Sequence, residues 1–172
     1  YGCLVGSEMC IRDSIDAIHG AGIMTVYLHA RKAWLQGLSP KENRDIPPLN
    51  YDRAARLAAA RPDMQVILNG GLDNAGATLE QLPSFAGVMI GRAAYRTPMI
   101  LADLAAPVFG REVPARLQIA GAMADYADRR TAEGVPLHAI TRHMLGLYHG
   151  QRGARLWPVS YTHLTLPTMA IV

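Results

Sequence analysis

The chain has 172 residues, half of them hydrophobic and 18% charged, a composition suited to a globular fold with one sizeable core. No apolar run approaches the roughly 20 residues that a membrane-spanning helix requires, and Tyr1–Val5 lacks the charged start of a secretory signal. A net charge of +3 is compatible with a polyanionic partner without demanding one, and Cys3 and Cys10, with no later cysteine to pair with, suggest neither a disulfide framework nor a zinc site.

The two ends read differently from the rest. Met9–Ser14, MCIRDS, can be encoded by DNA whose reverse complement, in another frame, encodes Val159–His163, VSYTH. The expectation is that residues 1–14 and 158–172 are adapter-like artefacts of sequencing libraries, packing poorly and adding nothing to the core. Residues 15–157 then carry 16 basic and 12 acidic side chains.

Ile15–Gly22 reads as the last turns of a helix ending at glycine. Ile23–Leu28, IMTVYL, suits a buried parallel strand, with His29-Ala30-Arg31 at its C-terminal end. Trp34–Leu49 is a long polar loop punctuated by Pro40, Pro47 and Pro48, and Asp52–Ala60 is a helix rich in alanine and arginine. Gln65–Leu68 is a second strand closed by Asn69-Gly70-Gly71, Asn74–Leu82 a helix, and Gly87–Ile90 a third strand closed by Gly91-Arg92. Ala93–Leu104 reads as helical, with Pro98 admitted in its first turns. From Gly110 no strand is expected, only helices over Pro114–Arg130 and Leu137–Tyr148. Alternating strands and helices predict an α/β chain with a parallel sheet. Three strands cannot close a barrel of eight, and an open doubly wound sheet competes. Polar or glycine-rich residues after every strand favour part of a barrel, whose active-site groups gather at that face.

Four groups could carry chemistry. The glycines of Asn69-Gly70-Gly71 allow backbone N–H groups to approach a phosphate, although an ordinary left-handed turn uses the same residues. Gly91-Arg92 adds an amide and a guanidinium, and two such loops about twenty residues apart resemble a barrel phosphate site. His29 is placed to hydrogen-bond a cofactor, or is a satisfied structural residue. Lys41-Glu42-Asn43-Arg44, near Trp34 and Tyr51, is a candidate contact for nucleic-acid phosphates or simply a solvated charge run. Asp16, Asp52 and Asp73 do not suggest a ligand cluster, so no metal site is expected.

HARKAWLQGLSPKENRDIPPLNY (His29–Tyr51), Leu68–Gly71, GVMIGRAAYRTP (Gly87–Pro98) and ITRHMLGLYHGQRGARLW (Ile140–Trp157) together resemble the tRNA-dihydrouridine synthase family, and within it the A subfamily. The resemblance covers residues 15–157. It implies a partial (β/α)8 TIM barrel over 15–109 followed by a small all-α, tRNA-binding domain over 110–157. It further implies a cytoplasmic flavoprotein that reduces uridine in the tRNA D-loop to 5,6-dihydrouridine, using FMN with NADPH as reductant. By resemblance His29, Asn69, Gly70, Gly71, Gly91 and Arg92 bind FMN, and Lys41, Arg44, Arg142 and Arg155 bind tRNA. The family's catalytic cysteine lies in the barrel's first half and has no counterpart here, because Cys3 and Cys10 stand in another context. The fragment is therefore expected to be inactive alone, with no membrane association and no obligate protein partner. The rival functions are another FMN-binding barrel acting on a small molecule and a non-enzymatic RNA-binding module.

Overall fold

A computed structural model describes residues 8–32, 34 and 37–157, which divide into two compact units, one ending at Gly91 and the other beginning at Arg92. The first unit is built on a parallel sheet of β1 (Thr25–His29), β2 (Gln65–Asn69) and β3 (Gly87–Met89), in that spatial order. Its register aligns His29 with Asn69 and Asn69 with Met89, so the strands end level. Helix α1 (Glu8–Gly20) precedes β1, α2 (Tyr51–Ala60) leads to β2, and α3 (Ala75–Gln81) leads to β3. Asparagine starts two of these helices. The Asn50 side chain accepts from Arg53 N at 2.9 Å and the Asn74 side chain from Ala77 N at 2.8 Å, satisfying N–H groups that a first turn leaves open.

Side chains alternate across a strand, and this sheet buries one face only. Val66 and Leu68 are almost wholly buried, each burial contributing about 1.5–3 kcal/mol. They pack with Ile15, Leu57 and Met64 at one end and with Ala30, Ala54 and Leu72 at the other. On the opposite face Thr25, Tyr27 and His29 are exposed, Tyr27 to 67%. The expectation of fully buried strands is thus corrected. The apolar run reflects strand propensity on both faces, but helices cover only one.

Helix α1 starts inside the segment set apart as foreign. Ile11, Ile15 and Ile18, spaced along one helical face, all contribute to the packing below Val66. Of the residues before Ile15 in this helix, Ile11 packs against the cluster, whereas Arg12, Asp13 and Ser14 are exposed. Residues 1–7 and 158–172, which carry the rest of that expectation, lie outside the described residues.

In the second unit the described residues form helices and turns without a strand. The expected helix over Ala93–Leu104 is two helices, α4 (Arg92–Arg96) and α5 (Met99–Phe109). Pro98 is the N-cap of α5, because proline has no N–H to continue α4 and is accommodated where a helix begins. Helix α6 (Arg116–Ala132) follows. The expected helix over Leu137–Tyr148 stops early, as α7 (Leu137–Thr141), and gives way to turns. Gly146 explains why this segment matters as a turn. A Cβ there would lie 2.2 Å from the Arg96 carbonyl oxygen, so only glycine permits the approach. Met99, Ala120, Met144 and Leu147 form the core of this unit, flanked by Met123, Tyr148 and Trp157. The unit begins at Arg92, so the boundary expected between residues 109 and 110 falls within it.

Candidate functional site at the C-terminal ends of the strands

The residues that follow β1 and β2 are tied together by backbone hydrogen bonds. Ala30 N donates to Asn69 O at 2.9 Å, and Asn50 N donates to Ala30 O at 2.7 Å. Arg31 and Leu49 form an isolated antiparallel bridge, so the long loop between them returns to its starting point. Gly70 and Gly71 both adopt positive φ, +109° and +69°, a region that side chains with a Cβ rarely enter. Their missing side chains also make room for neighbours. A Cβ on Gly70 would lie 2.7 Å from His29 Cε1 and 2.8 Å from His29 Nδ1. One on Gly71 would lie 2.2 Å from Leu49 Cδ1 and 2.9 Å from Tyr51 Oη. The His29 imidazole thus sits against the Asn69-Gly70-Gly71 turn.

Tyr51 completes this arrangement. Its hydroxyl donates to Gly70 O at 2.8 Å and fixes the direction of that carbonyl. Burial, and secondarily the negative charge of Asp73, raise the Tyr51 pKa above its ordinary value, while Arg31 opposes the shift. The phenol is therefore held in the protonated form that the hydrogen bond requires. Sequence reading placed Tyr51 near the basic loop but gave no sign of this contact, because it spans 19 residues.

Gly91 follows β3 by two residues, and β3 lies beside β2 in parallel. The place where its Cβ would be has no atom within 4 Å, and its φ is not positive. Among the described residues this glycine therefore has no steric reason, unlike Gly70 and Gly71. Arg92 is the first residue of α4, at the start of the second unit.

The loop bearing Lys41 and Arg44 is ordered by its own polar groups. Ser39 N donates to Glu42 Oε2 at 2.8 Å and Glu42 N donates to Ser39 Oγ at 3.3 Å, a reciprocal cap on the 3-10 turn Glu42–Arg44. Hydrogen bonding from Ser39, its hydroxyl first and its backbone N–H second, lowers the Glu42 pKa. Asn43 makes paired hydrogen bonds with the Trp34 backbone, both 2.8 Å. Arg31 donates to the Asp45 carbonyl at 3.0 Å and also to the Pro47 carbonyl, so it anchors the loop. Lys41 is exposed on this scaffold, beside the turn that ends at Arg44. The long polar loop thus contains a short 3-10 turn, Glu42–Arg44.

Asp16, Asp52 and Asp73 remain separate from any ligand-like cluster among the described residues. Asp16 instead pairs with Arg61. In the second unit Arg142 is the exposed C-cap of α7 and Arg155 is exposed in a 3-10 turn, Ala154–Leu156.

The family model of dihydrouridine synthases matches residues 7–169. The chain is similar to the tRNA-dihydrouridine(20/20a) synthase of Xanthomonas campestris pv. campestris, with 48% identity over 143 residues, covering 83% of this chain and 43% of that protein. The Pseudomonas aeruginosa protein of the same name is 43% identical over 151 residues, covering 87% of this chain and 45% of its own length. The Salmonella typhimurium protein is 44% identical over 148 residues, with 84% and 45% covered. The chain therefore spans less than half the length of these curated relatives.

Proposed function

The chain belongs to the dihydrouridine synthase family, and from that premise we propose that it supplies part of the flavin site and part of the RNA-binding surface of an FMN-dependent tRNA-dihydrouridine synthase. The reaction is NADPH-dependent reduction of a tRNA uridine to 5,6-dihydrouridine. The observation that carries the reading is the gathering of His29, Asn69, Gly70 and Gly91 at one end of a parallel sheet. That end is where a (β/α)8 barrel places its chemistry, and the loops after its last strands commonly hold phosphate.

The residues fit the phosphate of FMN. The open space where a Gly91 Cβ would project leaves the main chain approachable, and the Asn69-Gly70-Gly71 turn has the backbone freedom such an approach requires. We assign Gly70, Gly71 and Gly91 to the phosphate through their backbones, Arg92 to it through its guanidinium, and His29 and Asn69 to hydrogen bonds with the flavin. When bound, FMN supplies the hydride-transfer chemistry. Gly70 leaves room for the His29 ring, and Tyr51 fixes the Gly70 carbonyl. The open sheet face bearing Thr25, Tyr27, Ile67 and Met89 is assigned to the inner wall of the barrel, whose remaining strands come from polypeptide beyond this chain. The helical unit, together with Lys41 and Arg44 of the capped loop and with Arg142 and Arg155, contacts tRNA in the cytoplasm.

The test is to express the chain joined to a matching N-terminal portion, at the length of its relatives. The purified protein should carry FMN in equal stoichiometry and form dihydrouridine in tRNA with NADPH, read by mass spectrometry of nucleosides. Arg92→Ala should lower the flavin content. A colourless protein would remove the flavin assignment. Flavin without any tRNA product, but with reduction of a small molecule, would place the chain among other FMN-binding barrels.

A further inference from the structure

Positive charge is unevenly divided between the two units. Residues 92–157 contain nine arginines, no lysine and five carboxylates, for a net +4, whereas residues 15–91 contain seven basic and seven acidic side chains. An all-arginine excess suits phosphate recognition, because the planar guanidinium presents a fork of donors.

Three exposed side chains in the second unit form a hydrogen-bonded chain. Arg142 Nε lies 3.0 Å from His143 Nε2, and His143 Nδ1 lies 2.9 Å from Tyr95 Oη. An arginine Nε only donates, so His143 Nε2 is the acceptor. A neutral imidazole then carries its proton on Nδ1 and donates it to the Tyr95 oxygen. The phenolic proton is consequently turned away from His143, toward whatever approaches from outside. The two rings meet edge to face, with centroids 5.8 Å apart, and Tyr95 remains 61% exposed.

The segments carrying these residues are fixed from behind. Gly146 rests on the Arg96 carbonyl, next in sequence to Tyr95. Arg116 Nε donates to Leu147 O at 3.1 Å and Trp157 Nε1 donates to Met144 O at 2.9 Å. The turn that bears His143 is thus held against α4 and within the core of the unit. Nothing in that core requires an exposed tyrosine, histidine and arginine to be linked in this way.

We propose that Tyr95 and Arg142 form an RNA contact of the helical unit, with a base stacked on the Tyr95 ring and a neighbouring phosphate received by Arg142 and the Tyr95 hydroxyl. His143 is a positioning residue that orients both. The proposal rests on the reading of tRNA as the substrate. Base–aromatic stacking and arginine–phosphate pairing are the two terms by which proteins hold unpaired RNA, and here they are adjacent.

The experiment measures tRNA affinity by fluorescence anisotropy at two salt concentrations, in the enzyme completed to the length of its relatives. Flavin content and the maximal rate at saturating tRNA are measured in parallel. Arg142→Ala should weaken binding about 5- to 10-fold and flatten the logarithmic salt dependence by about one. Tyr95→Ala should weaken it at least about 5-fold with the salt slope retained, while Tyr95→Phe, which keeps the ring, should recover most of the loss. His143→Ala should lower affinity by a smaller factor. Flavin content should stay at the wild-type level while tRNA affinity falls, a pattern that a general loss of folding does not produce. Wild-type affinity in the Tyr95→Ala/Arg142→Ala double variant would overturn this contact alone. A wild-type enzyme without affinity for tRNA would overturn both it and the substrate reading.

Discussion

Gly70→Ala tests the geometry at the head of the sheet. The perturbation has two parts. Gly70 has φ +109°, where an L side chain is strained, and its Cβ would approach His29 at 2.7 Å and Leu49 Cδ2 at 3.3 Å. Positive φ costs a non-glycine residue about 1–2 kcal/mol, and displacing packed neighbours costs about 1–3 kcal/mol. Together the two parts give an expected destabilisation of about 2–5 kcal/mol. Urea denaturation of the completed enzyme, with and without added FMN, measures it. Flavin affinity should also fall, because His29 no longer occupies its place and the turn no longer keeps its conformation. A midpoint shift equivalent to less than about 0.5 kcal/mol, the range of ordinary surface substitutions, would refute the reasoning. So would unchanged flavin affinity in a variant shown to be destabilised.

Gly91→Ala makes the complementary case: with no atom within 4 Å and no positive φ, it should leave stability nearly unchanged yet reduce flavin content, read by absorbance of the purified protein. Tyr51→Phe should cost about 0.5–1.5 kcal/mol through the lost bond to Gly70 O. Because the folded Tyr51 pKa is raised, its contribution is fully present below the ordinary tyrosine value and is lost as pH rises through the raised one. Urea midpoints of wild type and Tyr51→Phe should therefore converge under strongly alkaline conditions. Gly146→Ala should destabilise the helical unit, by about 3 kcal/mol or more, since its Cβ would meet backbone rather than a flexible side chain; amide hydrogen exchange in α4 and residues 142–150 is the readout. Lys41→Ala/Arg44→Ala should weaken tRNA binding about 10-fold or more and flatten its salt slope by about two, with flavin content unchanged.

The order of elements in the first unit is legible in local sequence alone. Short β-rich runs ending in Asn69-Gly70-Gly71 and Gly91-Arg92 located β2 and β3 to within a residue, because strand propensity and glycine punctuation are local properties. Local sequence also placed the starts of α2 and α3 to within a residue, although the capping by Asn50 and Asn74, acting on atoms three residues away, was seen only in the structure. The remaining features depend on how whole elements pack. The side on which the sheet is buried depends on where helices pack, and a run such as Ile23–Leu28 is apolar on both faces. The contact of His29 with Gly70, the reach of Tyr51 to the Gly70 carbonyl and the link from Tyr95 to His143 join residues 19 to 48 positions apart. Pairings at that separation are set by the packing of whole elements and leave no periodic trace in the chain. Leu137–Tyr148 shows the same limit from the other side. Its helical pattern is sound locally, yet the helix ends at Thr141 and turns follow, with Gly146 packed against the Arg96 carbonyl.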